Sequence, residues 1–397
     1  MTVSLQPVDE RACSATREQL RQARRVVVKI GSNVLVGGGA GLVNRRVFCS
    51  LVEEIALLDR HPDRRIVLVT SGAIAVARRR LGIDKPPGGE PLSRKQALAA
   101  IGQPALMHLY AGEFELYGKQ VAQVLVSPEN LGERERFLNA RNTLRELADV
   151  PDVVPIINEN DTTSTAEIRF GDNDHLSALV APLVDADALI ILSDVDALYT
   201  ADPRVVHDAQ RVDLAWADDP ALRALAVPPD PNGPGSGGMS TKLKAARVAG
   251  ANGIPTVIAP GRLPGVLQAV LNGEPVGTLF IPRERTSARK NWLAFASRPA
   301  GVLTVDAGAR AALADQGRSL LSVGILSASG EFTAGATVDI ASTDGAVFAR
   351  GIAHYSSREI AVIAGQPSER ISELLGYSNG GAVVHRDDLA LVESDRG

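Results

Sequence analysis

Six short runs of Val, Ile and Leu recur along the first two thirds of the chain. They are RRVVVKIGSN, RRIVLVTSGAIAVARRRL, VAQVLVSPEN, DVVPIINEND, DALIILSDVDALY and GIPTVIAPG. Each is closed by a polar or glycine-containing turn and followed by residues at helical spacing. Runs that stay apolar on both faces belong to strands covered on two sides. Their alternation with helices predicts an α/β fold, a parallel-rich open sheet sandwiched by helices. Ligands of such sheets sit outside the carboxyl ends of the strands. The residues just past each run are therefore the ones to inspect: Lys29 to Ser32, Ser71 and Gly72, Asn158 to Asp161, and Ser193 and Asp194.

The pattern changes near residue 286. A charged, proline-bounded stretch, 286–299, reads as a connection, and 300–397 holds short alternating strands separated by Gly and Asp turns, as in a small barrel or sandwich. The expected organisation is an N-terminal extension over 1–22, frayed or helical, an α/β domain over 23–285, the connection, and a mostly-β domain with a C-terminal tail. Between 203 and 242 an acidic, Pro/Gly-rich segment reads as a mobile flap leading into a helix.

Composition narrows the partners. With 397 residues and 45% apolar content the chain can bury a substantial core, and its net charge of −4 offers no general attraction to nucleic acid or acidic membrane. An anionic ligand must then be met by a local cluster of positive groups. Cys13 and Cys49 build no disulfide framework and stand at no metal-ligand spacing, which fits a reducing compartment. The absence of a signal-like or spanning apolar run points to a cytoplasmic protein.

Chemistry concentrates in three places. Lys29 ends a buried strand and is followed by Gly31, whose lack of a side chain lets backbone amides approach phosphate oxygens; a lysine snorkelling from the sheet edge would look the same. Ser236, Gly237, Gly238, Met239, Ser240, Thr241 and Lys242 precede a helix. They do not form a Walker loop, because Met239 stands where that motif needs Lys, yet a helix N-terminus with Lys242 beside it suits phosphate. A flexible linker is the plainer alternative. The stretch INENDTTSTAEIRFGDNDHLSALV crowds amides and carboxylates at the mouth of a strand. Its Asp172, Asn173 and Asp174 exceed what helix capping needs, and suit Mg²⁺, two lysines or a substrate ammonium. Ser71 and Ser193 each read equally as ligand contacts or as caps. No Ser-His-Asp set, nucleophilic Cys or zinc spacing emerges. Two lysines, glycine-rich amides and a block of carboxylates suit phosphoryl transfer, where catalysis is positioning and charge neutralisation.

VVVKIGSN, VLVTSGAI, RERFLNARNTL, VPIINENDTTSTAEIRFGDNDHLSALVA, LSDVDALYTADPR and GSGGMSTKLKAARVA, taken in order, resemble the glutamate 5-kinases of the amino-acid kinase family over about residues 24 to 285, and the tail resembles a PUA domain. The resemblance implies ATP and L-glutamate as substrates, Mg²⁺, proline as a feedback inhibitor, and a homo-oligomer, dimer or tetramer. It implies Lys29 and Lys242 on the transferred phosphoryl group with Asp174 organising them, and a glutamate site of Ser71, Asn158, Asp161 and Asn173 with Asp172 nearby. Lys29, Gly31, Ser32, Ser193, Asp194 and Ser236 to Lys242 fall to ATP, and no protein ligand is assigned to the metal. The sequence departs from the family at Ser32, Asn33 and Ser193, which leaves fine nucleotide affinity open. Other amino-acid kinases, acting on acetylglutamate or aspartate, are the nearest alternatives. An RNA-binding role for the tail is disfavoured, since residues 301–397 carry seven Arg, no Lys and twelve Asp or Glu.

Overall fold

The computed structural model describes residues 3 to 392 apart from 4, 37–41, 87–89, 164–172, 204, 227–237 and 284–286. The chain divides into two compact units: residues 1–128 with 138–285, and residues 129–137 with 286–397.

The strands of the first unit are β1 Arg25–Ile30, β2 Arg65–Thr70, β3 Gln120–Val126, β4 Val153–Glu159, β5 Ala188–Ser193, β6 Leu198–Tyr199, β7 Arg211–Val212, β8 Leu214–Trp216, β9 Thr256–Pro260 and β10 Thr278–Ile281. Eight form one sheet in the order β3-β4-β2-β1-β5-β9-β10-β8, parallel except where β10 runs antiparallel to β9. β6 and β7 pair separately. The segment read as a flap thus supplies an edge strand, β8, in its described part, while 227–237 lies outside the described residues. β1 lies between β2 and β5, so the chain ends of three neighbouring strands share one edge.

Alternation along β1 decides which side chains meet. Val26, Val28 and Ile30 join Ile66, Leu68, Ile156, Ile190 and Leu192 in a core closed by the helix Arg45–Leu58 and by Leu106 and Tyr110 of the helix Leu92–Glu115. Val27 and Lys29 point to the opposite face, since successive strand residues face opposite ways. There the helices Asn173–Leu183 and Met239–Ala251 pack side by side. Their buried positions include Ala178, Ala181, Ala245, Ala246, Ala249 and Gly250, and such small residues let two backbones come close.

The helices Ala73–Leu81 and Leu92–Glu115 also meet closely. A Cβ on Gly102 would stand 1.8 Å from the Ala73 carbonyl oxygen, a distance no packing adjustment absorbs without parting the helices. Gly102→Ala should therefore destabilise the protein by about 1–3 kcal/mol or more. The Ser71 turn should move with it, read as a lower denaturation midpoint.

The N-terminal extension forms the helix Glu10–Arg21, capped by Asp9, with Leu20 buried. Arg17 and Arg21 donate to the carbonyls of Gly273 and Asn272.

In the second unit β11 Gly301–Val305, β13 Ile325–Ser329, β14 Thr337–Ala341, β15 Val347–Ile352 and β17 Leu389–Leu391 form a sheet in the order β13-β11-β14-β15-β17, while β12 Leu320–Leu321 pairs with β16 Ala382–Val384. Residues 288–296, inside the stretch read as a connection, are folded: Trp292 and Leu293 are buried beside Phe137 and Ala390, and the Trp292 indole donates to the Leu131 carbonyl. The apolar Trp-Leu pair gave that stretch something to bury, which its flanking charge concealed. Among the described residues no helix is long and apolar enough to cross a membrane.

Candidate active site

The sheet edge where β1, β2, β4 and β5 end gathers most of the singled-out residues. Lys29 lies one residue before the end of β1 and is buried. Asp174, in the first turn of its helix and only 1% exposed, takes the Lys29 ammonium on Oδ1 at 2.7 Å and the Lys242 ammonium on Oδ2 at 3.2 Å. Thr241 donates its hydroxyl to the same Oδ2 at 2.6 Å. One carboxylate thus joins residues 29, 174, 241 and 242 into a single cluster. Burial alone would push the Asp174 carboxyl up, but the charges of Lys29 and Lys242 and the hydrogen bonds from Lys29 and Thr241 outweigh it, holding the group well below the usual carboxylate range.

Thr241 and Lys242 stand in the first turn of the helix Met239–Ala251, whose N-cap, Gly238, makes no side-chain cap. Both side chains also reach back to the Gly238 carbonyl, at 2.9 and 3.4 Å. The first-turn amides of Met239, Ser240 and Thr241 are thus free of a capping side chain beside a lysine, an arrangement suited to phosphate oxygens. Ser236 and Gly237 lie outside the described residues.

Past β1, Gly31 donates its N–H to the Leu192 carbonyl, and a Cβ there would stand 3.5 Å from Lys29 Nζ. Glycine keeps that approach to the ammonium open. Ser32 begins the short helix Ser32–Val36 and lies against Gly72. Past β5, buried Ser193 donates to Asp194 Oδ1 at 3.2 Å, while Asp194 Oδ2 accepts from Asn33 at 2.8 Å. Burial raises the Asp194 carboxyl, and the Asn33 bond, its own backbone, Lys242 and Ser193 together lower it further than burial lifts it. Asn33, one of the departures from the family pattern, therefore ties the β1 turn to the β5 turn.

A second polar cluster adjoins β4. Buried Asn158 donates from Nδ2 to Gln103 Oε1 at 2.7 Å, and its Oδ1 accepts from the Glu159 N–H at 2.9 Å and from Asn173 Nδ2 at 3.2 Å. Asp161 is buried just beyond, and its Oδ1 meets no partner among the described residues. Burial pushes its carboxyl up to about 6. Asp172 lies outside the described residues. Ser71 is buried at the end of β2; Gly72, with φ +104°, takes the N-cap position of the following helix without a side-chain cap, so capping does not account for Ser71.

Gln103 was not singled out in the sequence. Its signal was a Gly-Gln-Pro triplet, residues 102–104, inside the otherwise apolar segment 97–107 of its helix, where a buried amide has to find a partner.

The chain matches the model of the amino acid kinase family over residues 24–260 and that of the PUA domain over 301–375. Its relatives include the glutamate 5-kinase of Myxococcus xanthus, 48% identical over 380 residues, covering 96% of this chain and 99% of that one. The glutamate 5-kinase of Thermus thermophilus is 46% identical over 371 residues, covering 94% and 98%, and that of Pelobacter propionicus 45% over 377 residues, covering 95% and 100%.

Proposed function

Because this chain belongs to the amino acid kinase family, and within it to the glutamate 5-kinases, we infer that it transfers the γ-phosphoryl group of ATP to the side-chain carboxylate of L-glutamate. The product is L-glutamyl 5-phosphate, the first intermediate of proline biosynthesis. The observation that carries the reading is the buried Asp174 carboxylate holding Lys29 and Lys242 at the strand-end edge, beside the buried amides of Asn158 and Asn173, with Asp161 Oδ1 unpartnered among the described residues.

The chemistry needs little else. A glutamate side chain, with a pKa of about 4.3, is ionised at neutral pH, so its oxygen attacks the γ-phosphorus without a general base. The bond from that phosphorus to the β,γ-bridging oxygen breaks, ADP leaves with the electron pair, and no proton moves. The barrier is the approach of one anion to another. Two ammonium groups in a site of low effective dielectric reduce it. Asp174, ionised far below neutrality, aligns the two lysines and takes no proton.

Asp161 and Asn173 receive the substrate α-ammonium, Ser71 fixes another of its polar groups, and Asn158 holds Asn173 in place. Gly31, Ser32, Ser193, Asp194 and the run ending at Lys242 serve ATP. Mg²⁺ neutralises phosphate charge when bound, but among the described residues no three acidic, His or Cys side chains cluster as ligands, and Asp174 is already committed to lysines. The ion would supply charge neutralisation with phosphate oxygens and water among its ligands. Proline carries the same α-carboxylate and cationic nitrogen as glutamate, and the family resemblance supports it as a feedback inhibitor. The same resemblance supports a cytoplasmic homo-oligomer, dimer or tetramer.

The test is ATP turnover with hydroxylamine trapping of the acyl phosphate, using L-glutamate, N-acetyl-L-glutamate and L-aspartate, with and without proline. Hydroxamate from L-glutamate is expected. Turnover of acetylglutamate with none of glutamate would overturn the assignment.

Asp161 adds a pH signature. Binding an ammonium needs its ionised form, so kcat/KM for glutamate should fall as pH drops below about 6, and Asp161→Ala should raise the glutamate KM far more than the ATP KM. Equal effects on both substrates would remove Asp161 from the glutamate site. The sign for stability is opposite. A carboxyl raised from 3.8 to about 6 weakens the ligand-free fold as pH climbs through that window, by about 3 kcal/mol once above it. Asp161→Asn should accordingly melt higher than wild type at pH 7 without substrate, and much less so at pH 4.

A further inference from the structure

We propose that Gln103 is a substrate-positioning residue whose Nε2 donates to the α-carboxylate of the amino-acid substrate, at the end of an amide relay with backbone-fixed polarity. The proposal rests on the glutamate kinase reading above and adds a residue to it.

The relay begins at the backbone N–H of Glu159, which can only donate. It meets Asn158 Oδ1 at 2.9 Å and so fixes which end of that amide is oxygen. Asn158 Nδ2 must then be the donor toward Gln103, which meets it with Oε1 at 2.7 Å and turns Nε2 away. By the same logic Asn173 reaches Asn158 Oδ1 through Nδ2 at 3.2 Å, leaving its own Oδ1 outward.

The outer atoms of this chain are Gln103 Nε2 and Asn173 Oδ1. Both, with Asp161 Oδ1, are buried and have no hydrogen-bond partner among the described residues. A buried polar group without a partner is costly, and natural folds keep few of them. Two such atoms end the relay, and the third belongs to Asp161, three residues past Asn158; we take them as groups held for a ligand. One donor and two acceptors, one of the acceptors anionic, complement an α-amino acid: Asp161 and Asn173 take the ammonium, and Gln103 takes the α-carboxylate.

Gln103 is also held in place from behind. Gly102 abuts the Ala73 carbonyl, and Pro104 follows within the helix, so the side chain projects from one of the most closely packed points of the unit.

The test exchanges donor for acceptor on both partners. Gln103→Glu can still accept from Asn158 but presents an anionic oxygen to the ligand. Its kcat/KM for L-glutamate should fall about 100-fold. For L-isoglutamine, which carries an α-carboxamide and a free side-chain carboxylate, it should fall less than 10-fold, with the ATP KM unchanged. Gln103→Met, of similar length without a donor, should raise the glutamate KM at least 10-fold with little change in kcat. An equal loss on both substrates in the first variant, or an unchanged glutamate KM in the second, overturns the assignment.

If wild-type protein makes no hydroxamate from glutamate, the kinase reading fails and takes this assignment with it. Should neither variant fold, wild-type protein labelled with ¹⁵N-glutamine decides. One side-chain amide resonance should shift with L-glutamate and not with 4-aminobutyrate, which lacks the α-carboxylate; no such shift would overturn the role of Gln103.

Discussion

Lys242→Ala should lower kcat by about 10²-fold or more while moving the glutamate KM only a few-fold. Lys242 is buried, its Nζ lies 3.2 Å from Asp174, and it stands in the first turn of a helix whose free amides face the same edge. Its charge is therefore placed to meet negative charge that builds up during transfer. The fold should survive the change, because Asp174 keeps Lys29 at 2.7 Å and Thr241 at 2.6 Å. Circular dichroism and a melting curve close to wild type, beside a collapsed kcat, are the expected pair of results. An unchanged kcat would take Lys242 out of the catalytic set.

Asp174→Asn should be more damaging to the fold. The substitution keeps shape and removes the one negative charge shared by two buried ammonium groups, and breaking a buried pair in this way costs about 3–5 kcal/mol. Activity should fall at least as far as in Lys242→Ala, since both lysines lose the group that aligns them. The acid limb provides a second reading. A carboxyl held below its ordinary range stabilises the fold fully above its unfolded value of about 4, and that stabilisation is lost as pH falls through the window beneath. Wild-type stability measured by denaturant should decline below pH 4 more steeply than that of the variant. Parallel profiles would mean that Asp174 does not carry the stabilising charge.

Much of this site could be read from the chain, because its parts follow apolar runs whose meaning is local. Lys29 after VVV, Ser193 after LIIL and Asn158 after VPII were placed on one edge by the rule that parallel strands end together. The contact between Asp174 and Lys242 was not local. It depends on two helices packing closely enough to bring their first turns together, and no spacing in the sequence states that. Gln103 was hidden for a related reason: its partner Asn158 is 55 residues away, and the Gly-Gln-Pro triplet does not say what its amide meets.

The antiparallel β9–β10 pair was equally out of reach, since a four-residue strand such as β10 carries no signal of direction. In the second unit the alternating strands were legible, whereas the burial of Trp292 was masked by the charged residues around it.

The carboxylate bridge has one more chemical consequence. An acyl phosphate is an electrophile at its carbonyl carbon, and any neutral amine within reach would capture it as an amide, disabling the catalyst with its own product. By holding Lys29 and Lys242 on its two oxygens at 2.7 and 3.2 Å, Asp174 restrains both nitrogens from reaching that carbon. The group that arms the site toward phosphate thereby also spares it from self-acylation.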